Sequence, residues 1–312
     1  MAPRTVGIVG TGNVGMAAAF AVFVGQHADR LILVDKDRAR AEGEAMDLIH
    51  GQPLIGPTEV SAGSYEDLAA AHLVIVTAGV GQQPGETRLD LMNRNAAVFR
   101  EIAAELDAHA PDAVLIIATN PVDLLTYVMQ ELSSRPMDRI FGTGTLLDTS
   151  RFRALLGQHY NVDSRSVHAY ILGEHGDSEV AAWSSARIGN LPLRKASVVG
   201  AVFDPAEMSR LFTRVQRAAY EIIERKDYTN WAIGAVIARL VTAVLGDQRS
   251  VLPVSVRLKG EYGIENVCLS LPTVVGGDGV GARLLPEIDE RELALLRDSA
   301  AVLERSLREI EI

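Results

Sequence analysis

The stretch Gly10-Thr11-Gly12-Asn13-Val14-Gly15 constrains this chain more than any other. It follows an apolar, β-rich run, Thr5 to Val9, and opens a helical pattern through Val14, Ala17, Ala18, Ala21 and Val22. Glycine-rich turns are common, and it is the placement that gives this one weight. At a strand-to-helix junction the glycines allow a tight turn and close backbone approach, so free N–H groups and the helix dipole can face a pyrophosphate. A second strand-like run, Arg30 to Val34, leads to Asp35, which lies 20 residues beyond Gly15. A carboxylate there can accept from both hydroxyls of an adenosine ribose and would repel a 2′-phosphate. NAD, rather than NADP, is the expected cofactor.

Strand-like runs recur at Leu73 to Thr77, Ala113 to Ala118 and Arg139 to Phe141, separated by helical stretches. One of these carries Leu89, Met92, Ala96, Phe99, Ile102, Ala103 and Leu106 and stops before Pro111. Alternation of this kind predicts a parallel sheet covered by helices. Beyond about residue 144 longer helices (Leu147 to His159, Asp204 to Lys226, Thr229 to Leu245) mix with alternating strands at Val251 to Leu258 and Asn266 to Leu271. A last helix, Asp289 to Glu311, spaces Leu293, Leu296, Ala300, Leu303 and Leu307 along one packing face. The expected fold is α/β: a Rossmann-type doubly wound parallel sheet over 1–144, then an α+β substrate domain over 145–312.

Composition removes several classes of function. A formal net charge of -10 with scattered Lys and Arg offers no basic footprint for nucleic acid or anionic membrane. The apolar run Met16 to Val24 is too short to span a bilayer and reads as a helix inside the fold. With Cys268 as the single cysteine, an internal disulfide framework and zinc-ribbon chemistry are excluded, a reducing compartment fits, and no metal is expected. Cys268, in a Val-Cys-Leu run, reads as a small buried apolar residue.

Candidate chemistry begins at His175, within Leu172-Gly173-Glu174-His175-Gly176-Asp177-Ser178. A histidine flanked by glycines is open to close approach and can change charge near neutral pH, but a lone loop histidine is ordinarily solvated. Partners are offered by Leu147-Asp148-Thr149-Ser150-Arg151-Phe152-Arg153, where Asp148 and Arg151 are three apart and share a helical face. A buried Asp bonded to one imidazole nitrogen would fix the tautomer and raise the pKa, leaving the other nitrogen to hand over a proton. A surface ion pair is the plainer alternative for those two residues.

Taken in order, the glycine turn with Asp35, TAG at 77–79, PGETR at 84–88, TNPVD at 119–123, LDTSRFR at 147–153, GEHGDS at 173–178 and YTNWAIG at 228–234 resemble the lactate/malate dehydrogenase superfamily, and within it the bacterial L-lactate dehydrogenases. The likeness runs the whole chain. It implies that His175 is the acid/base with Asp148 its partner, that Arg151 clamps the substrate carboxylate, and that Arg88 polarises the reacting carbonyl. It further implies that Asn120 contacts substrate and cofactor, that Thr229 and Ile233 close the pocket beside the nicotinamide, and that Thr77, Ala78 and Gly79 join Gly10, Gly12, Asn13, Val14, Gly15 and Asp35 in holding NAD. The same resemblance implies pyruvate and lactate as substrates and a cytosolic homotetramer. Malate dehydrogenase and L-2-hydroxyisocaproate-type activity are the enzymatic alternatives. An NAD(H) sensor without catalysis would keep the glycines and Asp35 but has no reason to keep His175, Asp148, Arg151 and Arg88 together.

Residues 79–88 read Gly-Val-Gly-Gln-Gln-Pro-Gly-Glu-Thr-Arg between a strand and a helix, and are expected to form a lid that brings in Arg88 and excludes water. In the family, the position of Gln82 is Gln in lactate dehydrogenases and Arg in malate dehydrogenases. A second substrate carboxylate buried beside a neutral amide would cost about 3–5 kcal/mol, whereas a methyl group needs no counter-ion. Val80-Gly81 stands where relatives usually carry a less flexible pair, so Gly81 is expected to loosen the lid and admit larger 2-keto acids; Thr143 stands where many relatives have Ser and keeps the hydroxyl. Arg153 and His168 match the positions that hold fructose 1,6-bisphosphate in allosteric bacterial relatives, which makes that effector a candidate partner.

Overall fold

The computed structural model describes residues 3–81, 85–195 and 197–310, without the side chain of Arg88. Its strands in chain order are β1 (Thr5–Val9), β2 (Arg30–Val34), β3 (Glu59–Ala62), β4 (Leu73–Val76), β5 (Val114–Ile117) and β6 (Ile140–Gly142), then the short β7 (Val167–His168), β8 (Ile171–Leu172), β9 (Val180–Ala181), β10 (Arg187–Ile188) and β11 (Leu191–Pro192), and last β12 (Ser250–Lys259), β13 (Glu265–Gly276) and β14 (Gly279–Arg283). The helices are α1 (Asn13–Val24), α2 (Arg38–Ile55), α3 (Arg88–His109), α4 (Val122–Leu132), α5 (Leu146–Tyr160), α6 (Pro205–Lys226), α7 (Trp231–Leu245) and α8 (Glu290–Glu309).

Six parallel strands lie in the order β3-β2-β1-β4-β5-β6, the doubly wound order the alternation predicts. Leu73–Val76 and Val114–Ile117 are buried along their whole length, because helices cover both faces of a parallel sheet. The sheet does not stop with the first half. Ser255 of β12 pairs antiparallel with Gly142 of β6, so β12, β13 and β14 extend one sheet to nine strands. A second apolar cluster, built around Phe152, Leu156, Val167, Ile171 and Leu211, seats α5 and α6 beside it.

Helix starts follow local chemistry. In α3 the Thr87 side chain accepts from Asp90 N–H at 3.2 Å and the Asp90 carboxylate accepts from Thr87 N–H at 3.2 Å, a reciprocal capping box. Asp289 and Glu292 repeat the device at α8. The far end of α3 is closed by a buried guanidinium: Arg135 donates to Leu106 O at 2.5 Å, to Ala110 O, to Ala113 O at 3.3 Å, and pairs with Asp107. It thereby satisfies carbonyls that a helix end leaves open.

Replacing Arg135 with Ala should cost about 3–5 kcal/mol, since Asp107 and the helix-end carbonyls lose a buried partner together. Urea denaturation should show a lower midpoint with an unchanged slope. Arg135→Lys, a single point charge, should recover only part of the loss; full recovery by Lys would show that the fork geometry is immaterial.

Candidate active site

The nucleotide-type turn leaves β1 at Gly10, whose φ is +101°. A side chain there would meet Ala78 N at 2.5 Å, and one at Gly15 would meet Gly10 O at 1.9 Å, so both positions require glycine. Gly12 differs: a Cβ there meets nothing within 4 Å, so its lack of a side chain serves no neighbour within the chain. The first turn of α1, Asn13 and Val14, has no side-chain cap and no acidic residue. Free N–H groups, a positive helix end and open space beside Gly12 together fit a pyrophosphate.

Thr77 Oγ1 donates to Gly10 O at 2.7 Å and Thr119 Oγ1 donates to Ala78 O at 2.7 Å, tying the carboxyl ends of β1, β4 and β5 side by side. Thr77, Ala78, Gly79 and Asn120 therefore stand along the rim on which Gly10 begins. Asp35 follows β2 directly, but its oxygens are not reserved for a ligand. Oδ2 accepts from Thr11 N–H at 2.6 Å and Thr11 Oγ1 at 2.8 Å, and Oδ1 from Asp37 N–H at 3.0 Å. Burial works to raise the Asp35 pKa, yet these bonds and Arg40 hold it below the usual carboxylate range, so the charge that would repel a 2′-phosphate is present at neutral pH. Ile233 is half-buried on α7 and Thr229 half-buried just before it. A Cβ at Gly234 would come within 2.7 Å of Ala17 O, which shows how closely α7 lies on α1.

The second group of predicted residues converges on α5. Asp148 lies in its first turn, where the helix dipole favours a carboxylate. Its side chain is buried, and its two oxygens are divided between two cations: His175 Nδ1 at 2.6 Å and Arg151 Nη1 at 2.9 Å. The Asp148–Arg151 pair is thus no surface ion pair, since the Arg151 side chain is only 16% exposed. Burial lowers the His175 pKa, but the charge and hydrogen bond of Asp148 outweigh it and push the imidazole up to about 9. Burial raises the pKa of Asp148, and His175 and Arg151 reverse this to a net lowering. At neutral pH the arrangement is an imidazolium, a carboxylate and a guanidinium in contact.

The loop that carries His175 is fastened from several sides. Gly173 and Ser270 of β13 exchange backbone bonds at 3.1 and 2.9 Å, and Glu174 N–H donates to Ser299 Oγ of α8 at 2.9 Å. His175 N–H donates to Asp123 Oδ2 at 2.7 Å, and Asp123 Oδ1 accepts from Ser255 Oγ at 2.5 Å. Asp123, in the first turn of α4, is buried, which pushes its pKa up to about 6 against the bonds from Ser255 and His175. Within TNPVD the family resemblance points to Asn120 and not to Asp123. An acid set among Val122, Leu124 and Leu125 was the available signal.

Arg88 is the first helical residue of α3, where the dipole disfavours a cation, so its place serves something other than the helix. Its side chain lies outside the described residues, as does Gln82. Arg153 donates to Ala169 O at 2.9 Å with its guanidinium over the Tyr170 ring, next to exposed His168, and Arg187 pairs across the strand from His168. No His, Cys, Asp or Glu cluster able to hold a metal occurs among the described residues, and none of their helices is long and apolar enough to cross a membrane.

Comparison with known proteins agrees with this geometry. The family model for the lactate/malate dehydrogenase NAD binding domain matches residues 4–142, and the model for the lactate/malate dehydrogenase alpha/beta C-terminal domain matches residues 145–311. The chain belongs to the lactate/malate dehydrogenase family, whose cofactor is NAD. It is 57% identical over 310 residues to an L-lactate dehydrogenase of Salinibacter ruber, covering 99% of this chain and 98% of that one. It is 49% identical over 299 residues to an L-lactate dehydrogenase of Thermus aquaticus, covering 96% of each. The crystal structure of a minor L-lactate dehydrogenase from Enterococcus mundtii in its ligand-bound form superposes with a TM-score of 0.95 at 42% identity, covering 99% of both chains.

The imidazolium and Asp148 should be visible in titration. Because the folded-state pKa of His175 is raised from 6.5 to about 9, the couple contributes stability that is complete below about pH 6.5 and lost as pH rises through about 9. In Asp148→Asn, burial acts without its principal counterweight and only the weaker pull of other acidic neighbours remains. The His175 ring, followed by NMR, should then lose its proton well below pH 9; a proton retained to about pH 9 would exclude Asp148 as the cause.

Proposed function

We propose that the chain is an NAD-dependent L-lactate dehydrogenase, interconverting pyruvate and lactate, with His175 as the proton carrier. The observation that carries this reading is the buried Asp148 carboxylate shared between His175 and Arg151, beside the carboxyl ends of the strands that form the nucleotide turn. NADH supplies a hydride to the ketone carbon when bound, cradled by Gly10, Gly12, Asn13, Val14 and Gly15 with Asp35 at the ribose.

The chain's own residues do the rest. With Nδ1 engaged by Asp148, the second nitrogen of His175 is free to give its proton to the ketone oxygen, and to take it back in the reverse direction. One Nη of Arg151 is spent on Asp148, leaving donors of the planar fork for the substrate carboxylate. Arg88, carried on the first turn of α3 behind a closing lid, offsets the charge that develops on the oxygen. Asn120 and Thr229 bound the substrate, and Ile233 backs the nicotinamide. By the family resemblance, Gln82 would meet the group beyond the reacting carbon, and a neutral amide there would leave a second carboxylate without a counter-ion. Gly81 would loosen the lid, which favours larger 2-keto acids as further substrates.

We place the boundary between the halves at 144/145 and infer a cytoplasmic homotetramer. Exposed apolar side chains on α1 and α2, among them Phe20, Met46 and Leu54 at 90% exposure, support burial against other subunits. Arg153, His168 and Arg187 gather positive charge on a chain of net charge -10, which supports fructose 1,6-bisphosphate as an effector held there.

The test is NADH oxidation with pyruvate, oxaloacetate and 2-ketoisocaproate in parallel, with and without fructose 1,6-bisphosphate. Pyruvate should give the highest kcat/KM; faster reduction of oxaloacetate by the unmodified enzyme would overturn the assignment. Gln82→Arg should shift the ratio toward oxaloacetate on the order of a hundredfold, the worth of about 3 kcal/mol. Arg151→Lys should chiefly raise KM, and Arg88→Gln chiefly lower kcat. Overlaying saturation curves with and without the bisphosphate would remove the effector from the proposal.

A further inference from the structure

Glu179 is a buried acid that the proposed mechanism does not use. It ends the His175 loop just before β9, donates its N–H to Gly176 O at 3.2 Å, and is 6% exposed. Its Oε1 is buried with no hydrogen-bond partner among the described residues. The nearby cations are directed at another acid: His175 Nδ1 and Arg151 Nη1 both donate to Asp148, at 2.6 and 2.9 Å. An ionised carboxylate in that position would be desolvated, would have one oxygen without a donor and would stand beside a second carboxylate, a costly combination. The neutral acid avoids most of that cost.

The surrounding charges bear on this from each packed element. Asp148 and Arg151 face Glu179 from α5, and His175 and Asp177 from its own loop. Asp177 accepts from the hydroxyl of Tyr220 on α6 at 2.8 Å. Arg214 of α6 lines a cavity of about 380 Å³ together with Arg151. From α4, Asp123 lies under His175; from α8, Glu292 is paired to Arg194 at 2.9 Å, and Ser299 bonds the Glu174 backbone. Burial and the negative charge of Asp148 push the Glu179 pKa up to about 9, against the pull of His175 and Arg151.

We propose that Glu179 is a specificity-determining residue that works by being neutral: it leaves the His175–Asp148–Arg151 cluster with a single net positive charge, matched to one substrate carboxylate, and its ionisation closes the site to carboxylic acids. This rests on the reading that the cluster receives a 2-keto acid. A monoanion then neutralises the cluster, with Arg88 kept for the charge that develops on the reacting oxygen, while a dianion brings a second carboxylate that the cluster does not match. Ionised Glu179 would cancel the positive charge before any substrate arrived.

The experiment measures KM for pyruvate, with saturating NADH, from about pH 7 to about pH 10 in the unmodified enzyme and in Glu179→Gln. Two protons govern binding in the unmodified enzyme, one on His175 and one on Glu179, so KM should climb toward a hundredfold per pH unit at the alkaline end. In the Gln variant only His175 remains and the rise should be tenfold per unit. Identical slopes would overturn the proposal. Infrared difference spectra of unmodified enzyme carrying isotope-labelled glutamate report the charge directly and need no variant to fold. At pH 7 they should contain the carbonyl stretch of an un-ionised glutamic acid that vanishes near pH 9; carboxylate bands alone would overturn the proposal. Failure to reduce pyruvate at all would instead count against the lactate dehydrogenase reading, with the infrared result still deciding the state of Glu179.

Discussion

A single buried carboxylate, that of Asp148, accepts from an imidazole on one oxygen and a guanidinium on the other, and the local architecture is arranged around keeping it ionised. Alone, a desolvated carboxylate would take up a proton. Two cations in contact and a helix amino end oppose that. The reciprocal effect is that the imidazole retains its proton well above neutral pH, against its own burial. Neither charge is stable in the interior without the other, so the proton on His175 is a property of the cluster rather than of the histidine.

Around that cluster the fold supplies two kinds of support. The doubly wound strands bring Gly10, Thr77 to Gly79 and Thr119 to Asn120 to one rim, where hydroxyls of Thr77 and Thr119 stitch neighbouring strand ends together. The antiparallel strands β12 and β13 continue the same sheet, so Ser255 reaches Asp123 and Ser270 reaches Gly173 from one continuous surface. A nucleotide turn and a proton donor held on one sheet can be kept in fixed relation without a flexible hinge between them.

Much of this was legible in the residues. Strands buried on both faces, such as Leu31 to Val34 and Leu73 to Val76, are continuously apolar and stand out, as do the glycine turn and the amphipathic stripes of α3 and α8. The edge strand β3 did not, because Glu-Val-Ser-Ala has one fully buried residue and no apolar run. Nor did α2, whose buried residues are only Ala41, Ala45 and Leu48, with Pro53 in its last turn. Asp148, Arg151 and His175 were found through motif and spacing. Asp123 and Glu179 were missed because periodicity treats an acid as a solvent-facing residue; apolar neighbours hint at Asp123, but the burial of both depends on α4 packing on β12, β13 and α8 and on β9 packing on α8, contacts between distant segments. The continuity of the sheet through Gly142 and Ser255 rests on one pairing between distant segments, which leaves no trace in either strand alone.

The fastenings of the His175 loop come from residues 123, 148, 270 and 299, so the last long helix is among them. The histidine loop therefore stays incompletely anchored until α8 docks, although α8 adds no side chain to the proton-bearing cluster itself, so a lesion in that helix can loosen a proton donor whose own residues are intact.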